Sequence, residues 1–139
     1  MNNALDRAQI WLGNEYDEDT RKEVQNLIDT NPKELEDAFY RDLEFGTGGM
    51  RGIMGFGTNR INKYTLGAAT QGLANYLKKQ FPEKEKSVAI AYDVRHNSAL
   101  FARIVSDILT GNAINVHLFE SFRPTPELSC AVRHLECDA

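Results

Sequence analysis

This chain lacks the means to be stapled by disulfides. Its two cysteines, Cys130 and Cys137, are too few for a disulfide framework. They are expected to act as small apolar fillers of a reduced protein, with the cytoplasm as the default location. Long apolar runs are missing as well, and none approaches the roughly 18 residues of a membrane span. The opening Met-Asn-Asn-Ala-Leu-Asp has neither the basic nor the apolar region of a secretory signal. There is no basic excess: 16 Lys and Arg stand against 20 Asp and Glu, a net charge of −4. Such a balance argues against a nucleic-acid footprint. The three histidines, His96, His117 and His134, show no metal-ligand spacing. No internal repeat or low-complexity tract is present.

What remains is an ordinary folded composition. The 139 residues are 42% hydrophobic and 26% charged, which suits one domain with a real core. Glycine, in contrast, is concentrated. Phe45–Gly52 reads Phe-Gly-Thr-Gly-Gly-Met-Arg-Gly, with four glycines, one hydroxyl and one arginine in eight residues. Glycine lets backbone approach a ligand closely, and successive exposed amides cradle anions. Arginine adds a fork of donors that matches phosphate oxygens in pairs. The stretch therefore reads as a phosphate or phospho-sugar site; a plain glycine-rich hairpin with an exposed arginine is the alternative.

Residues 1–42 read as helical. Leu5, Ala8 and Leu12 fall at helical spacing, with Ile10 and Trp11 beside them, and Gly13 to Asp17 breaks the pattern. A second helix is expected over about Glu18–Ile28 with Val24, Leu27 and Ile28 on one face. Asn31-Pro32-Lys33-Glu34 is a start signal, with Asn as cap, Pro at the first position and Glu reaching back. The third helix carries Leu35, Ala38 and Phe39. From Leu43 the texture changes. Leu43–Phe45 and Gly52–Phe56 read as short strands. Asn62 caps a helix over about Lys63–Lys79, with Leu66, Ala69, Leu73 and Leu77 inward and Gly67, Ala68 and Gly72 allowing close packing. Gln80–Lys86 is a connector. Ser87–Tyr92 is nearly all apolar, like a strand covered on both faces. Ser98 caps a helix over about Ala99–Thr110, with Gly111 just past its end. Ile114–Phe119 is the next strand, and Pro124-Thr125-Pro126 opens a helix over about Glu127–Leu135. The alternation predicts an α/β fold with a largely parallel sheet. Leu135–Ala139 then has no strand to receive it.

Ligands of open α/β sheets gather beyond the C-terminal strand ends. Asp93-Val94-Arg95-His96-Asn97-Ser98 follows one strand there and combines a guanidinium, an imidazole and a helix start. An Asp93–Arg95 pair that only braces the loop is the other reading. Ser121–Pro126 follows the next strand as a proline-stiffened turn. Asp17-Glu18-Asp19 is better explained as acids at a helix start than as a metal cluster. Tyr64, Tyr76, Phe81 and Tyr92 read as core or surface aromatics. No nucleophile pairs with a base, and Thr47, Ser87, Ser98 and Ser121 are candidates only as hydroxyls.

Four segments, in order, resemble the α-D-phosphohexomutases, the phosphoglucomutase and phosphomannomutase family. Phe45–Gly52 is similar to the family's early Gly-Thr-x-Gly-x-Arg-Gly signature. Arg60-Ile61-Asn62 precedes the first long helix. Tyr92–Arg95 resembles the Asp-x-Arg turn, and Pro124–Pro126 resembles the Pro-Thr-Pro turn. The likeness covers about residues 43–139 well. The helical lead-in resembles the longer-headed branch of phosphoglucomutases and phosphopentomutase-like enzymes.

The resemblance implies a three-layer α/β/α first domain over 43–139, preceded by a helical extension over 1–42. It implies a reaction that moves a phosphoryl group between the 1 and 6 positions of a hexose phosphate, or 1 and 5 of a pentose. The donor is a phosphoserine, the intermediate a sugar bisphosphate, and glucose 1,6-bisphosphate or its like an activator. Thr47 and Arg51 match residues lining the active site beside the phosphoserine, with Gly48 and Gly49 in the same cradle, and Arg95 matches the cleft edge. Mg²⁺ is implied with ligands from a second domain. The phosphoserine loop is expected beyond Ala139, so this chain carries no catalytic nucleophile and is expected to be inactive alone. It is expected to lack the last strand of its domain and to self-associate through the open sheet edge. A stand-alone phosphate-binding or interaction module, and a sugar-bisphosphate synthase, are the alternative functions.

Overall fold

Aspartate and asparagine start the N-terminal helices. In the computed structural model, which describes residues 4–139, α1 spans Ala4–Ile10, α2 Glu18–Thr30 and α3 Pro32–Phe39. Residues 1–3, the start of the expected helical extension and of the segment read as having no secretory signal, lie outside the described residues. Asp17 is the cap of α2 and accepts from the Thr20 amide at 3.1 Å. Asn31 does the same for α3, accepting from the Glu34 amide at 3.2 Å, with Pro32 at the first position. The reciprocal half of that capping box is absent. The Asn31 N–H already donates to Leu27 O as the last bond of α2, so Glu34 is left to another partner.

The chain divides into two units, Met1–Thr65 and Leu66–Ala139. In the first, Ala4, Ala8, Trp11, Val24, Leu35, Ala38 and Phe39 form the core. Trp11 stacks on Tyr16 at 4.8 Å and meets Phe39 and Tyr64 edge-on at 5.5 and 5.3 Å. Burial pushes the Tyr16 hydroxyl pKa up. The inward row is thus Ala4 and Ala8 of α1 with Trp11 in the turn just past its end, spaced i, i+4, i+7. Leu5 and Ile10, read from the sequence as part of the apolar face, lie outward at 37% and 57% exposure. After α3 comes an antiparallel hairpin, β1 (Phe45–Gly46) with β2 (Gly49–Met50), in register Phe45↔Met50 and Gly46↔Gly49. The pairing sits inside the glycine-rich stretch, closer to the turn than the expected strands. Met54 forms a single parallel bridge with Ile61.

Helix α4 (Lys63–Gln80) starts at Asn62, whose Oδ1 accepts from the amides of Tyr64 and Thr65 at 3.0 Å each. In the second unit its buried row is Thr70, Ala74 and Leu77, while Leu73 is exposed. Gly67 faces Ile108 closely; Gly72 meets nothing. Strand β3 (Ser87–Ile90), helix α5 (Ser98–Gly111), strand β4 (Asn115–Leu118) and helix α6 (Thr125–His134) follow. The two strands are parallel, Ser87 opposite Asn115 through Ile90 opposite Leu118, as a helix crossover requires. Ala74, Leu77, Val88, Leu109 and Ile114 make this unit's core. Helix α6 has no buried residue, and Cys130 on it is exposed, not the apolar filler expected.

Two details correct the sequence reading. Gly111 belongs to α5, and Ala113 takes the left-handed position with φ 58°. Ala113 N bonds to Thr110 O at 2.9 Å and Ile114 N to Leu109 O at 3.1 Å, the paired bonds of a Schellman ending. Its apolar contact joins Ile114 and Leu109, both core residues. The Asn112 side chain holds the extra turn through Ile108 O, Gln71 and Lys78. Likewise, the tail does find a strand. Lys86 O, just before β3, and Ile90 O at its end receive the amides of Asn115 and Phe119, while Ser87 O and the Ala89 amide, on the opposite edge, bond Asp138 N and Ala139 O at 2.8 Å. Asp138 also accepts from Lys84 and from the Ser87 amide; these bonds hold its carboxyl below the usual carboxylate range.

Candidate functional site

The glycine-rich hairpin forms a cleft in the first unit. Its turn is Thr47-Gly48, and Gly49 follows with φ 97°, a conformation that favours glycine. At Gly48 a β-carbon would lie 3.2 Å from Arg51 Nη2. Glycine therefore lets the guanidinium fold back over the turn. Arg41, Leu43, Glu44, Gly46, Thr47, Gly48, Gly49 and Arg51 line a cleft of about 440 Å³ there. The structure brings together four of the five expected phosphate-binding residues, Thr47, Gly48, Gly49 and Arg51. Arg95 belongs to the second unit.

Charge decides what the cleft suits. Arg41 and Arg51 face one carboxylate, Glu44, so the cleft is net positive. Arg41 is partly engaged, 3.8 Å from Glu44 and donating to Asn59 at 3.3 Å. The Arg51 guanidinium and the Thr47 hydroxyl are exposed and form no hydrogen bond or ion pair with another described residue. The amides of Thr47 and Gly48 likewise donate to none. A two-pronged cation, a hydroxyl and free amides around a glycine turn are a donor set for a phosphate monoester.

The loop after β3 is built differently. Asp93 accepts from the Arg95 amide at 3.1 Å and from Arg95 Nε at 2.6 Å. Its own amide donates to Ser98 Oγ at 3.2 Å. The Arg95 amide bond is the leading cause that lowers the Asp93 pKa, with Ser98 and the guanidinium adding to it. Ser98 is thus a loop brace, and the cap position of α5 is Asn97, left-handed at φ 63° with no side-chain capping bond. Arg95 braces the loop through Nε while its side chain stays 85% exposed. The loop after β4 is tied to this one by Arg123 N to Tyr92 O at 2.9 Å and Tyr92 OH to Glu120 O at 2.9 Å. Pro124 is the cap residue of α6. A second cleft, about 490 Å³, has Arg103 against Asp107 and Glu120 in its lining. Two carboxylates against one arginine make it a poor anion site.

Among the described residues no group of three or more His, Cys, Asp or Glu could hold a metal ion, and no helix is long and apolar enough to cross a membrane. His117 is a surface residue of β4.

Sequence reasoning missed Arg41 in the cleft and the burial of Arg60, which is 3% exposed. Arg41 follows α3 and reads as a helix-end surface charge. Arg60 carries no signal of burial, since its carboxylate partners lie 23 and 26 residues away.

Residues 42–139 match the family model described as phosphoglucomutase/phosphomannomutase, alpha/beta/alpha domain I. A phosphoglucomutase of Staphylococcus haemolyticus (strain JCSC1435) is 45% identical over 104 residues, covering 75% of this chain and 19% of its own length. A phosphoglucomutase of Staphylococcus aureus (strain USA300) is 36% identical over 131 residues, covering 94% of this chain and 23% of its own length. The chain thus spans about a fifth of the curated relatives it matches. No solved structure matches it.

Proposed function

The chain belongs to the phosphoglucomutase/phosphomannomutase family as its alpha/beta/alpha domain I, and from that membership we propose that it supplies a phosphate-cradling hairpin to a sugar-phosphate mutase. The parent protein interconverts sugar 1-phosphate and 6-phosphate, or the pentose equivalents, through a phosphoserine and a bound bisphosphate. The observation that carries the reading is the free Arg51 guanidinium over Gly48, beside the unengaged Thr47 hydroxyl.

Phosphoryl transfer is mostly positioning and neutralisation of charge. Arg51 grips two phosphate oxygens, and the Thr47 hydroxyl and turn amides take others. Gly49 keeps the backbone in reach. Arg95, on the second unit's own exposed loop, offers a separate guanidinium for an anion, with Asp93 fixing its direction. The Thr47 hydroxyl has no hydrogen-bonded base among the described residues to activate it, so on this reading the isolated chain binds without turning over. The family implies Mg²⁺, with ligands expected from a second domain of the parent. The helical lead-in supports assignment to the longer-headed branch. Residues 1–42 act as an extension to the domain over 43–139, and self-association of the isolated chain through a sheet edge would use an edge other than the one Asp138 and Ala139 line.

Calorimetric titration of the chain with glucose 1,6-bisphosphate tests this reading. Saturable binding displaced by inorganic phosphate supports it. Absence of binding at millimolar ligand argues against the hairpin as a phosphate site.

A further inference from the structure

Arg60 is buried, and it is not among the residues lining the hairpin cleft. Its Nη2 donates to Glu34 Oε1 at 2.7 Å and Asp37 Oδ2 at 2.6 Å, both on α3. Its Nη1 donates to the backbone oxygens of Asp37 at 3.2 Å and Asn59 at 3.3 Å. Neighbouring Asn59 adds two bonds to the same helix end, from its amide to Ala38 O at 2.9 Å and from Nδ2 to Asp37 O at 3.0 Å. The segment 58–61 is thus pinned to α3.

That same segment holds both stems of the phosphate hairpin. On the incoming side, the Leu43 amide donates to Thr58 O at 2.8 Å and the Thr58 hydroxyl to Arg41 O at 2.7 Å. On the outgoing side, the Ile61 amide donates to Ile53 O at 2.9 Å, and the Gly55 amide to Ile61 O at 3.2 Å. Asn62 Nδ2 fixes Gly55 O and Gly57 O at 2.9 Å each. The tip itself, Thr47–Gly49, has no such support.

From this chain of contacts we infer that Arg60 is a positioning residue for the phosphate hairpin, and that the N-terminal helices are the foundation it is anchored to. The inference rests on the hairpin being the phosphate site. It gives the helical extension a job: α3 supplies the carboxylates and carbonyls that fix segment 58–61, and that segment sets the distance between stems. Arginine suits the role because one planar fork satisfies several acceptors at once. Lysine offers a point charge and cannot reach them all in one geometry.

The test compares the chain with its Arg60→Met and Arg60→Lys variants by amide hydrogen exchange and by titration with glucose 1,6-bisphosphate. Arg60→Met is expected to speed exchange at the Leu43 and Gly55 amides by about tenfold or more relative to Asn31, whose amide closes α2. Arg60→Lys is expected to restore part of that protection. If the unaltered chain binds bisphosphate, Arg60→Met should weaken binding while Asn31 protection holds. Unchanged protection at Leu43 and Gly55 overturns the inference, whatever the ligand does. Failure of the unaltered chain to bind, with the exchange result as expected, instead overturns the phosphate reading and leaves the anchoring intact. Should Arg60→Met not fold, Asp37→Ala keeps the arginine and the main-chain acceptor, and is read the same way: faster stem exchange supports the inference, and no change overturns it.

Discussion

The Arg60 guanidinium donates to the Asp37 carboxylate at 2.6 Å while being 3% exposed. Burial by itself lowers the Arg60 pKa, but bonds to Glu34 and Asp37 outweigh it and the pKa is raised. Glu34 and Asp37 remain about half exposed and can rehydrate when the arginine is removed. Arg60→Met is therefore expected to cost about 1.5–3 kcal/mol, the range for losing charged hydrogen bonds, and less than breaking a wholly buried pair. Urea unfolding checks the figure. A loss below about 0.5 kcal/mol, the scale of an ordinary surface change, contradicts it.

Gly57 and Gly48 should respond differently to alanine. At Gly57, φ is 124° and a β-carbon would lie 2.5 Å from Ala38 O. Both strain and clash act there, so Gly57→Ala is expected to destabilise by about 2 kcal/mol or more. At Gly48 the neighbour is the end of the Arg51 side chain at 3.2 Å, which can swing away. Gly48→Ala is expected to keep stability within about 0.5 kcal/mol and to weaken bisphosphate binding. Thermal melts and calorimetry separate the two effects.

Ala113 holds a conformation that costs an L-residue roughly 1–2 kcal/mol. Replacing it with glycine removes that cost and adds some unfolded-state entropy. Ala113→Gly is expected to stabilise the chain by about 0.5–1 kcal/mol. A lower melting temperature contradicts the Schellman ending read at Leu109–Ile114.

Asp17 accepts from Lys63 at 2.7 Å, and from the Tyr64 and Thr20 hydroxyls. The Lys63 bond leads these in pushing its pKa well below the usual range. A depressed carboxylate adds stability above its unfolded pKa of about 4, and loses it as pH falls through the folded pKa. Asp17→Asn keeps the capping oxygen and removes the charge, together with the Oδ2 acceptor that Lys63, Tyr64 and Thr20 share. The variant should lose less than about 1 kcal/mol at pH 7, because the pair is partly exposed. The gap should narrow as the pH falls below about 4. A gap that widens on acidification contradicts the assignment.

The sequence was most readable where one residue does a local job. Asp17, Asn31 and Asn62 cap helices because their oxygens reach amides two or three residues on, and Phe45–Gly52 announces its turn by its glycines. It was least readable where partners are distant. Arg60 looks like any surface arginine until α3 folds against it, and Leu5 looks inward until Trp11 sets the face of α1. Gly111 loses the helix-ending position to Ala113 because Asn112 finds side-chain partners on α4. The alternation of strands and helices was legible, yet the strands are shorter than the apolar runs, since pairing stops at Ile90 and Leu118.

The most direct test of the hairpin as the phosphate site is an amide NMR titration of the chain and its Arg51→Ala variant with glucose 1,6-bisphosphate. The expected result is saturable shifts centred on Thr47, Gly48, Gly49 and Arg51, with binding weakened by about 1.5–3 kcal/mol in the variant and stability within about 0.5 kcal/mol. Shifts centred elsewhere, or equal binding by the variant, would contradict it.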